Sequence, residues 1–433
     1  MRLDVLPIER VVESGLCSGC GACAAAAPGV VRMVDHADRG RRPSIDHSAT
    51  RDELAPADRV CPGSGLSHET PQGEWGPVLE VWQGYAADPA VRHAGSSGGL
   101  ASALSIFCLE RARMHGVLHT ASRSDAPHLN ETVMSTTREQ VLRRTGSRYA
   151  PASPCEGLGE VERAPGPCVF IGKPCDVAAA RALASERPAL RNRLGLAVSI
   201  FCAGTPTTAG TRAMLRAMGV DDPDQLGSLR YRGEGWPGDA RATHAADGSD
   251  RVMTYERAWG EILTRHKQWR CKVCADHTGE FADIAVGDAW HLRRAGDAGQ
   301  SIVVVRTQRG RRVLHAAIAA GDLVMERVGL EELRASQPSL ETTRGAVWGR
   351  VLALRMRRAP APRFRGMRMA RLWWTRLSLK DKARSIVGTW RRAAAVAEPS
   401  PRRGLYADGR VIESKVQHGQ AAAPPLVSEG AWR

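Results

Sequence analysis

Apolar residues in the middle of the chain follow two alternating patterns. Short apolar runs typical of buried strands are separated by longer stretches with the spacing of amphipathic helices. The predicted strands cover residues 78–86, 116–120, 168–172, 196–202, 284–286 and 302–305. The predicted helices cover residues 100–114, 177–184, 208–218 and 311–320. Strands that alternate with helices in this way predict an α/β fold (mixed α+β), with a mixed or mostly parallel sheet covered by helices.

The pattern changes near both ends of the chain, and 433 residues are more than one core usually serves. Residues 1–76 have little apolar periodicity and are rich in Cys, Gly, Pro and Asp, which is typical of a small segment organised by a metal. Residues 77–165 and 166–340 are predicted to form the two parts of the α/β body. Residues 341–433 predict a basic tail, with an amphipathic helix at 364–377 and a disordered end after residue 393.

Composition and charge narrow the class of protein. Hydrophobic residues make up 43% and charged residues 25%, which is ordinary for a soluble globular protein. The sequence has no apolar run of about 18 residues and no signal-peptide pattern, so we expect a cytoplasmic location. The net charge of +15 is concentrated in residues 341–433, which carry 20 Lys and Arg against 6 Asp and Glu. Because these cations do not interleave with the cysteine motifs, we do not expect a nucleic-acid-binding protein.

Three of the eleven cysteines are two residues apart in Cys17-Ser-Gly-Cys20-Gly-Ala-Cys23. The bacterial ferredoxin run continues with a fourth cysteine before a proline, but Ala27 occupies that position here. Cys61, which also precedes a proline, can supply the missing ligand. The motif therefore predicts one [4Fe–4S] cluster held by these four cysteines, with a zinc site of the same four thiolates as the alternative.

Four further cysteines lie where α/β proteins place functional groups, at strand ends and in loops. Cys175 follows a predicted strand, Cys202 ends another, and Cys271 and Cys274 form a CxxC pair. Two single thiols and one CxxC can complete a four-thiolate site. Cys175 as a core thiol, and the CxxC as half a zinc ribbon or a redox pair, remain open alternatives. The three other cysteines show no such pattern and are predicted to be spare thiols: Cys108, Cys155 and Cys168.

A turn of small residues, from Gly95 to Gly99, precedes a predicted helix. Its backbone N–H groups, two hydroxyls and the helix N-terminus are the parts of a phosphate-binding site. Gly-Ser turns before helices are also common without a ligand. Ser147 lies in another loop, and two aspartates bracket a short predicted strand, Asp283 and Asp288. Each of these features is equally typical of a turn or a helix cap.

The order of the motifs suggests a family. The stretches CSGCGAC, CPG, GSSGGL, GSRYAP, IGKPCDV, FCAGTP, YRGEGWPG, CKVC and ADIAVGDAW follow one another between residues 17 and 290. This set resembles the family of coenzyme F420 hydrogenase and dehydrogenase beta subunits, which includes 7-hydroxymethyl chlorophyll a reductase and a ferredoxin-dependent divinyl chlorophyllide reductase. Residues 341–433 match neither chlorophyll reductase type, so the resemblance does not carry a substrate over.

The resemblance implies two [4Fe–4S] clusters and FAD in the α/β body. It assigns the second cluster to Cys175, Cys202, Cys271 and Cys274. It also implies a set of flavin-binding residues: Ser96, Ser97, Gly98, Gly99, Ser147, Lys173, Asp283 and Asp288. Lys173 departs from the family pattern, in which relatives often carry a small polar residue before Pro-Cys.

This combination predicts an oxidoreductase that converts between one-electron and two-electron chemistry. Electrons would pass from ferredoxin or a similar acidic carrier through both clusters to FAD and then to a small organic substrate. The alternative is an electron-transfer beta subunit that reacts with coenzyme F420 or a nicotinamide. The basic tail is expected to be a solvated end, to dock the carrier, or to lie on anionic lipid at the inner face of a membrane. No catalytic acid is assigned, although three residues near the CxxC are candidates: His266, His277 and Glu280.

Overall fold

The computed structural model of the chain describes residues 5–394, 396, 400–402 and 411–412. Its strands are β1 Val31–His36, β2 Gly40–Ile45, β3 Gly65–Ser67, β4 Glu80–Ala86, β5 Gly116–Ser122, β6 Asn130–Ser135, β7 Cys168–Gly172, β8 Leu194–Ile200, β9 Leu226–Arg230, β10 Ala240–His244, β11 Asp250–Met253, β12 Ile284–Asp288, β13 Ser301–Val305, β14 Leu323–Val328, β15 Arg363–Arg365 and β16 Val411–Ile412.

Helices cover both faces of the main sheet and most of residues 340–393. They are α1 Ile8–Glu13, α2 Ala22–Ala26, α3 Arg51–Val60, α4 Pro89–Ala94, α5 Leu100–Glu110, α6 Arg138–Arg143, α7 Leu158–Arg163, α8 Pro174–Glu186, α9 Pro188–Arg193, α10 Thr208–Ala217, α11 Trp269–Lys272, α12 Gln308–Ala319, α13 Leu330–Ser336, α14 Leu340–Met356, α15 Met369–Arg376 and α16 Leu379–Ala393. Short 3₁₀ turns and a π-helix, Glu256–Ile262, connect them.

An eight-stranded sheet forms the centre of the molecule, in the order β14-β4-β13-β12-β8-β7-β5-β6. Strands β12, β8, β7 and β5 are parallel, and the outer pairs are antiparallel. Apolar clusters fill the space between each face of the sheet and its helices. The predicted mixed α/β fold is confirmed, and each predicted central strand and helix is found with ends shifted by a few residues.

The first segment has its own small core, which the sequence did not suggest. Strands β1 and β2 form an antiparallel hairpin, and helix α3 packs beside it. Residues Ile8, Val31, Met33, Ile45 and Leu54 are buried together. The expectation that a metal alone organises this segment is therefore wrong. The proposed division at residues 76, 165 and 340 stays a prediction.

The tail is folded as far as residue 394. Gly345 and Gly349 of α14 let α15 and α16 approach closely, because an added Cβ at Gly345 would lie 3.0 Å from the backbone of Trp373. Leu372 and Trp373 of α15 are buried in this contact. Residues 340–393 are thus not a solvated disordered end, and the remainder of that prediction falls mostly outside the described residues. The apolar face of the predicted helix at 364–377 is largely used within the protein.

Among the described residues, no helix is long and apolar enough to cross a membrane.

Candidate functional site

The first group of thiols comes from the loop after α1, from α2 and from the end of α3: Cys17, Cys20, Cys23 and Cys61. Gly19 and Gly21 between them have φ values of 73° and 86°. A Cβ on Gly19 would lie 2.7 Å from the carbonyl oxygen of Arg41, so glycine lets this loop pack against β2. Burial raises the pKa of Cys23, and the thiolates of Cys20, Cys17 and Cys61 raise it further. These effects indicate that the four thiols lie near one another.

The second group also comes together, from widely separated parts of the chain. Cys175 lies in the first turn of α8, Cys202 follows β8, and Cys271 and Cys274 lie in and after α11. Burial raises the pKa of Cys202 to about 12, and the nearby Cys271 and Cys274 contribute. Cys202 and Cys274 likewise add to the raised pKa of Cys175, after burial and Asp176. These effects indicate that the four thiols lie in one region of the structure, and their assignment to one cluster stays a prediction.

The donor set of each group is chemically suited to an iron–sulfur cluster or to zinc, since both bind four thiolates. All eleven cysteines are free. Four thiolates around one zinc lie about 3.8 Å apart, from a Zn–S distance of ~2.3 Å. A cubane binds each thiolate through a different iron, so its thiolates are spaced more widely. No group of three or more His, Cys, Asp or Glu side chains in the described part of the chain is close enough to hold a single ion.

Backbone N–H groups point at the sulfur atoms. The N–H of Gly19 donates to Cys17 Sγ at 3.4 Å, and that of Thr205 donates to Cys271 Sγ at 3.2 Å. Such bonds stabilise thiolate charge and help to set cluster potentials. They also fix the loops on which the ligands lie.

The two groups adjoin through protein contacts. The N–H of Cys155 donates to the carbonyl of Cys20 at 2.9 Å, and the Cys155 thiol lies 3.2 Å from the carbonyl oxygen of Asp176, next to Cys175. Arg270 donates to the carbonyl of Pro62 at 2.7 Å, next to Cys61. Cys155 is therefore a buried neighbour of both groups. The other two spare thiols are core residues, Cys108 on α5 and Cys168 on β7.

A cavity of about 740 Å³ opens at the carboxyl ends of the parallel strands β7, β8 and β12. This is the edge at which open α/β sheets bind ligands, and the volume lies in the usual range for such sites. Six of the eight predicted flavin residues line it: Ser96, Ser97, Gly99, Ser147, Lys173 and Asp288. Cys202 of the second thiol group lines it as well, so a cofactor bound there would adjoin those thiols.

The turn from Gly95 to Gly99 leads directly into α5. Gly99 has a φ of 68°, and a Cβ there would lie 2.3 Å from the carbonyl oxygen of Val91. No side chain caps the N-terminus of α5, and Leu100 and Ala101 of its first turn line the cavity. Uncapped N–H groups at a helix start suit a phosphate. Gly98 does not line the cavity but shapes the same turn.

The hydroxyls of this turn are engaged within the protein. Ser96 Oγ accepts a hydrogen bond from the N–H of Ser147 at 2.7 Å. Ser97 Oγ lies within hydrogen-bond distance of the carbonyls of Gly287 and Gln300. These bonds join the turn to neighbouring loops, so the serines first of all shape the cavity wall.

Lys173 lies on the cavity wall beside the second thiol group. Its ammonium is 2.7 Å from the carboxylate of Asp176. Burial alone would lower the pKa of Lys173, but Asp176 and Cys175 raise it overall. Lys173 therefore remains a cation between Asp176 and the cavity.

Asp283 does not fit the site predicted for it. It lies at the amino end of β12, whereas Asp288 lies at the carboxyl end, and it does not line the main cavity. Its carboxylate is 2.6 Å from Arg181 and accepts hydrogen bonds from Ala197 and Thr307. These bonds occupy the carboxylate and give Asp283 a structural role.

Arg232 organises the cavity wall opposite the thiols. Its guanidinium is 2% exposed, donates to both oxygens of Asp288 at 2.7 and 3.0 Å, and also contacts the carbonyl of Ser96. Trp236 donates to the same carboxylate at 2.8 Å. The pair joins the glycine turn, the loop after β9 and the end of β12. The sequence did not indicate that Arg232 and Asp288 are partners.

An aromatic and cationic group on the cavity wall was not predicted: Tyr255, Trp259, Lys267, Trp290 and Arg293. The rings of Tyr255 and Trp290 are stacked with centroids 5.8 Å apart. Trp259 lies in the π-helix, an element often found at functional sites but not readable from sequence periodicity. These residues can contact a planar or anionic ligand.

The three candidate acids are placed differently. His277 lines the cavity, and burial together with Arg344 lowers its pKa to about 3, so its ring is neutral. Glu280 lies outside the main cavity and is buried in an ion pair with Arg344 and His68. His266 does not line the cavity.

Comparison with known proteins supports the family that the motifs resemble. Residues 81–158 match the family model described as the N-terminal part of the coenzyme F420 hydrogenase/dehydrogenase beta subunit. Residues 167–329 match the model for the C terminus of the same subunit. The second thiol group lies inside the matched residues, whereas the first group lies before them.

Several curated proteins are similar to the chain over much of their length. The coenzyme F420 hydrogenase subunit beta of Methanococcus voltae is 26% identical over 257 residues, which is 58% of this chain and 84% of the relative. A subunit of the F(420)H(2) dehydrogenase of Methanosarcina mazei is 22% identical over 312 residues, which is 70% of this chain and 83% of the relative.

A solved structure has a similar fold. It is a chain of the F420-reducing [NiFe] hydrogenase complex from Methanosarcina barkeri, with a TM-score of 0.51 and 20% identity. The match covers 65% of this chain and 95% of that one. Together, the two family models cover more than half of the sequence. The chain belongs to the family of coenzyme F420 hydrogenase/dehydrogenase beta subunits, whose named relatives are subunits of electron-transferring oxidoreductases.

Proposed function

We propose that this protein is an iron–sulfur flavoprotein oxidoreductase that transfers electrons between a ferredoxin-like carrier and a small organic substrate. The observation that carries the proposal is the convergence of eight thiols as two groups, the second of which adjoins the large cavity. Disulfide formation does not account for this arrangement, because the thiols are free.

Each group would hold one [4Fe–4S] cluster, and the cavity would hold FAD. Bound there, these groups would supply one-electron transfer and its conversion to two-electron chemistry. The uncapped start of α5 suits the diphosphate of a dinucleotide. The Lys173 ammonium would favour negative charge on a ring bound beside Cys202. Tyr255, Trp290 and Arg293 offer stacking and charge to the organic substrate.

The folded tail offers a surface for an acidic electron carrier. Leu354 of α14 is buried in the same apolar cluster as Cys17 and Val273, and Ala393 at the end of α16 packs on that cluster. Four cations on α16 are exposed: Lys380, Arg384, Arg391 and Arg392. A carrier attracted to α16 would thus approach the first thiol group.

Cofactor analysis of anaerobically purified protein tests the proposal. Roughly eight irons and one flavin per chain are expected, from four irons in each cubane. Cys23→Ser and Cys202→Ser should each lose about half of the iron, because each removes a ligand of one cluster. Cys108→Ser is the matched control, since Cys108 is a buried thiol remote from both groups. Iron-free protein, or loss of iron from the control alone, contradicts the proposal.

The role of α16 has a separate test. Changing Lys380, Arg384 and Arg391 to Glu should slow reduction by a reduced acidic ferredoxin, and the difference should shrink at high salt. Arg312→Glu, an exposed cation on α12, should have little effect. If the α16 variant instead loses binding to anionic vesicles and keeps its rate with ferredoxin, the tail contacts lipid.

A second candidate function follows from the relatives' names. Two of them are called coenzyme F420 hydrogenase subunit beta. The protein would then be the subunit of a larger complex that reacts with coenzyme F420 or a nicotinamide. Chemically reduced protein should bleach the visible absorbance of coenzyme F420 under this function, and leave it unchanged under the first.

A further inference from the structure

Arg270 is a buried cation with no acidic partner among the residues that the structure describes. Its side chain is 2% exposed. One end of the guanidinium donates to the carbonyl of Val273 at 3.1 Å, and the other end donates to that of Pro62 at 2.7 Å. Its Nε has no hydrogen-bond partner, and none of the described carboxylates forms an ion pair with it. A buried charge without a counter-charge is costly, so this arrangement needs an explanation.

The position of Arg270 supplies that explanation. Pro62 directly follows Cys61 of the first thiol group, and Val273 directly precedes Cys274 of the second. The guanidinium therefore bonds directly to the residues that adjoin these two thiols in the sequence. The carboxylate nearest in sequence, Asp276, instead accepts the backbone N–H groups of residues 278–280. The negative charges available to Arg270 are therefore those of the two cysteine sites.

We infer that Arg270 is the shared counter-charge of the two cysteine sites and a positioning residue that raises the reduction potential of both clusters. The inference rests on the proposed function. A cubane on four thiolates is negatively charged and gains one more negative charge on reduction. A fixed cation in a region of low dielectric favours the reduced state. Because Arg270 lies between the sites, both potentials should respond, and in the same direction.

The same side chain also holds the two sites together. Its two carbonyl bonds join the loop that carries Cys61 to the loop that carries Cys274. The planar guanidinium can make both bonds at once, whereas an ammonium is a point charge on a flexible stem. Lysine at this position would keep the charge but weaken the hydrogen bonding between the two loops. Charge and geometry can therefore be separated by substitution.

Redox titration of the anaerobic holoprotein, followed by electron paramagnetic resonance, tests the inference. Arg270→Gln should lower the midpoint potentials of both clusters. We expect at least a tenfold change in the reduced-to-oxidised ratio at a fixed potential, about 59 mV for a one-electron couple. Arg270→Lys should bring both midpoint potentials most of the way back to their wild-type values, since it restores the charge. Iron and flavin content are measured in each sample.

Arg306→Gln is the matched control. Arg306 is also buried and also donates to backbone carbonyls, but its charge faces Glu280 and Asp276 rather than thiols. This variant should be less stable and should keep both potentials. Unchanged potentials in an iron-loaded Arg270→Gln protein would overturn the inference, as would equal shifts in both variants. Wild-type protein without iron would overturn the proposed function itself.

Discussion

The Arg232–Asp288 pair gives a prediction that does not depend on any cofactor. Arg232 is almost fully buried, and Asp288 accepts two hydrogen bonds from it and one from Trp236. Breaking a buried ion pair by removing one partner costs about 3–5 kcal/mol, because the remaining charge stays buried. Asp288→Asn keeps the shape of the side chain and removes the charge. We therefore expect it to lower the free energy of unfolding by about 3 kcal/mol or more.

Urea unfolding followed by tryptophan fluorescence measures this change. Asp322→Asn is the matched control, since Asp322 pairs with Arg111, whose side chain is 57% exposed. Exposed pairs contribute about 0.2–1 kcal/mol. The double variant Arg232→Met with Asp288→Asn should cost less than the sum of its two single changes, because no buried charge is left unpaired.

The structural reasoning would be refuted by two results. One is an Asp288→Asn protein as stable as wild type, which would show that the pair is hydrated in solution. The other is strict additivity in the double variant, which would show that the two side chains do not interact. The pair also joins three loops of the cavity wall, so the proposed function adds a separate expectation: flavin content should fall together with stability in Asp288→Asn.

Two further changes test the glycine turn and a buried histidine. Gly99→Ala and Gly219→Ala both place alanine at a positive φ, at a cost of about 1–2 kcal/mol, but only the Cβ at Gly99 meets a backbone atom. Urea unfolding should show the larger loss for Gly99→Ala, and equal losses would contradict the packing of the turn. Burial and Arg144 lower the pKa of His119 from 6.5 to about 4, so stability is lost as the pH falls below 6.5. Between pH 7.5 and 5, His119→Gln should lose about 2 kcal/mol less than wild type, and identical pH profiles would contradict the buried neutral ring.

The central sheet could be predicted from the sequence because its signal is local. A fully buried strand such as β7 is a short apolar run whose ends are visible in the sequence. The antiparallel strands β9 and β10 were missed because they carry mixed polar and apolar residues on a partly exposed surface. Helix α14 was missed because its buried residues include Arg344, Gly345 and Gly349, which carry no hydrophobic signal.

The site illustrates the same distinction between local and topological information. The first thiol group could be predicted from the spacing of its cysteines in the sequence. The second depends on the pairing of β7 with β8 in the sheet, which brings the ends of these strands together. Asp283 and Asp288 are neighbours of one strand in sequence. A five-residue strand, however, is about 16 Å long, so the two aspartates lie at opposite ends of β12. Sequence position alone assigned them to one site, and only the strand direction separates them.

Hydrogen bonds between the first segment and the α/β body connect the structures around the two thiol groups. Ser153 donates to the carbonyl of Gly19 at 2.7 Å, and Arg41 donates to Glu156 at 2.6 Å, both across the boundary predicted at residue 76. Cys155 adds a backbone bond to Cys20 in the same place. Because these bonds lie directly beneath the first cysteine loop, distortion of that loop must reach the turn at residues 153–157 and, through Cys155, the start of α8. A ligand substitution in the first group should therefore disturb the environment of Cys175 as well, although no cysteine of the second group has been changed.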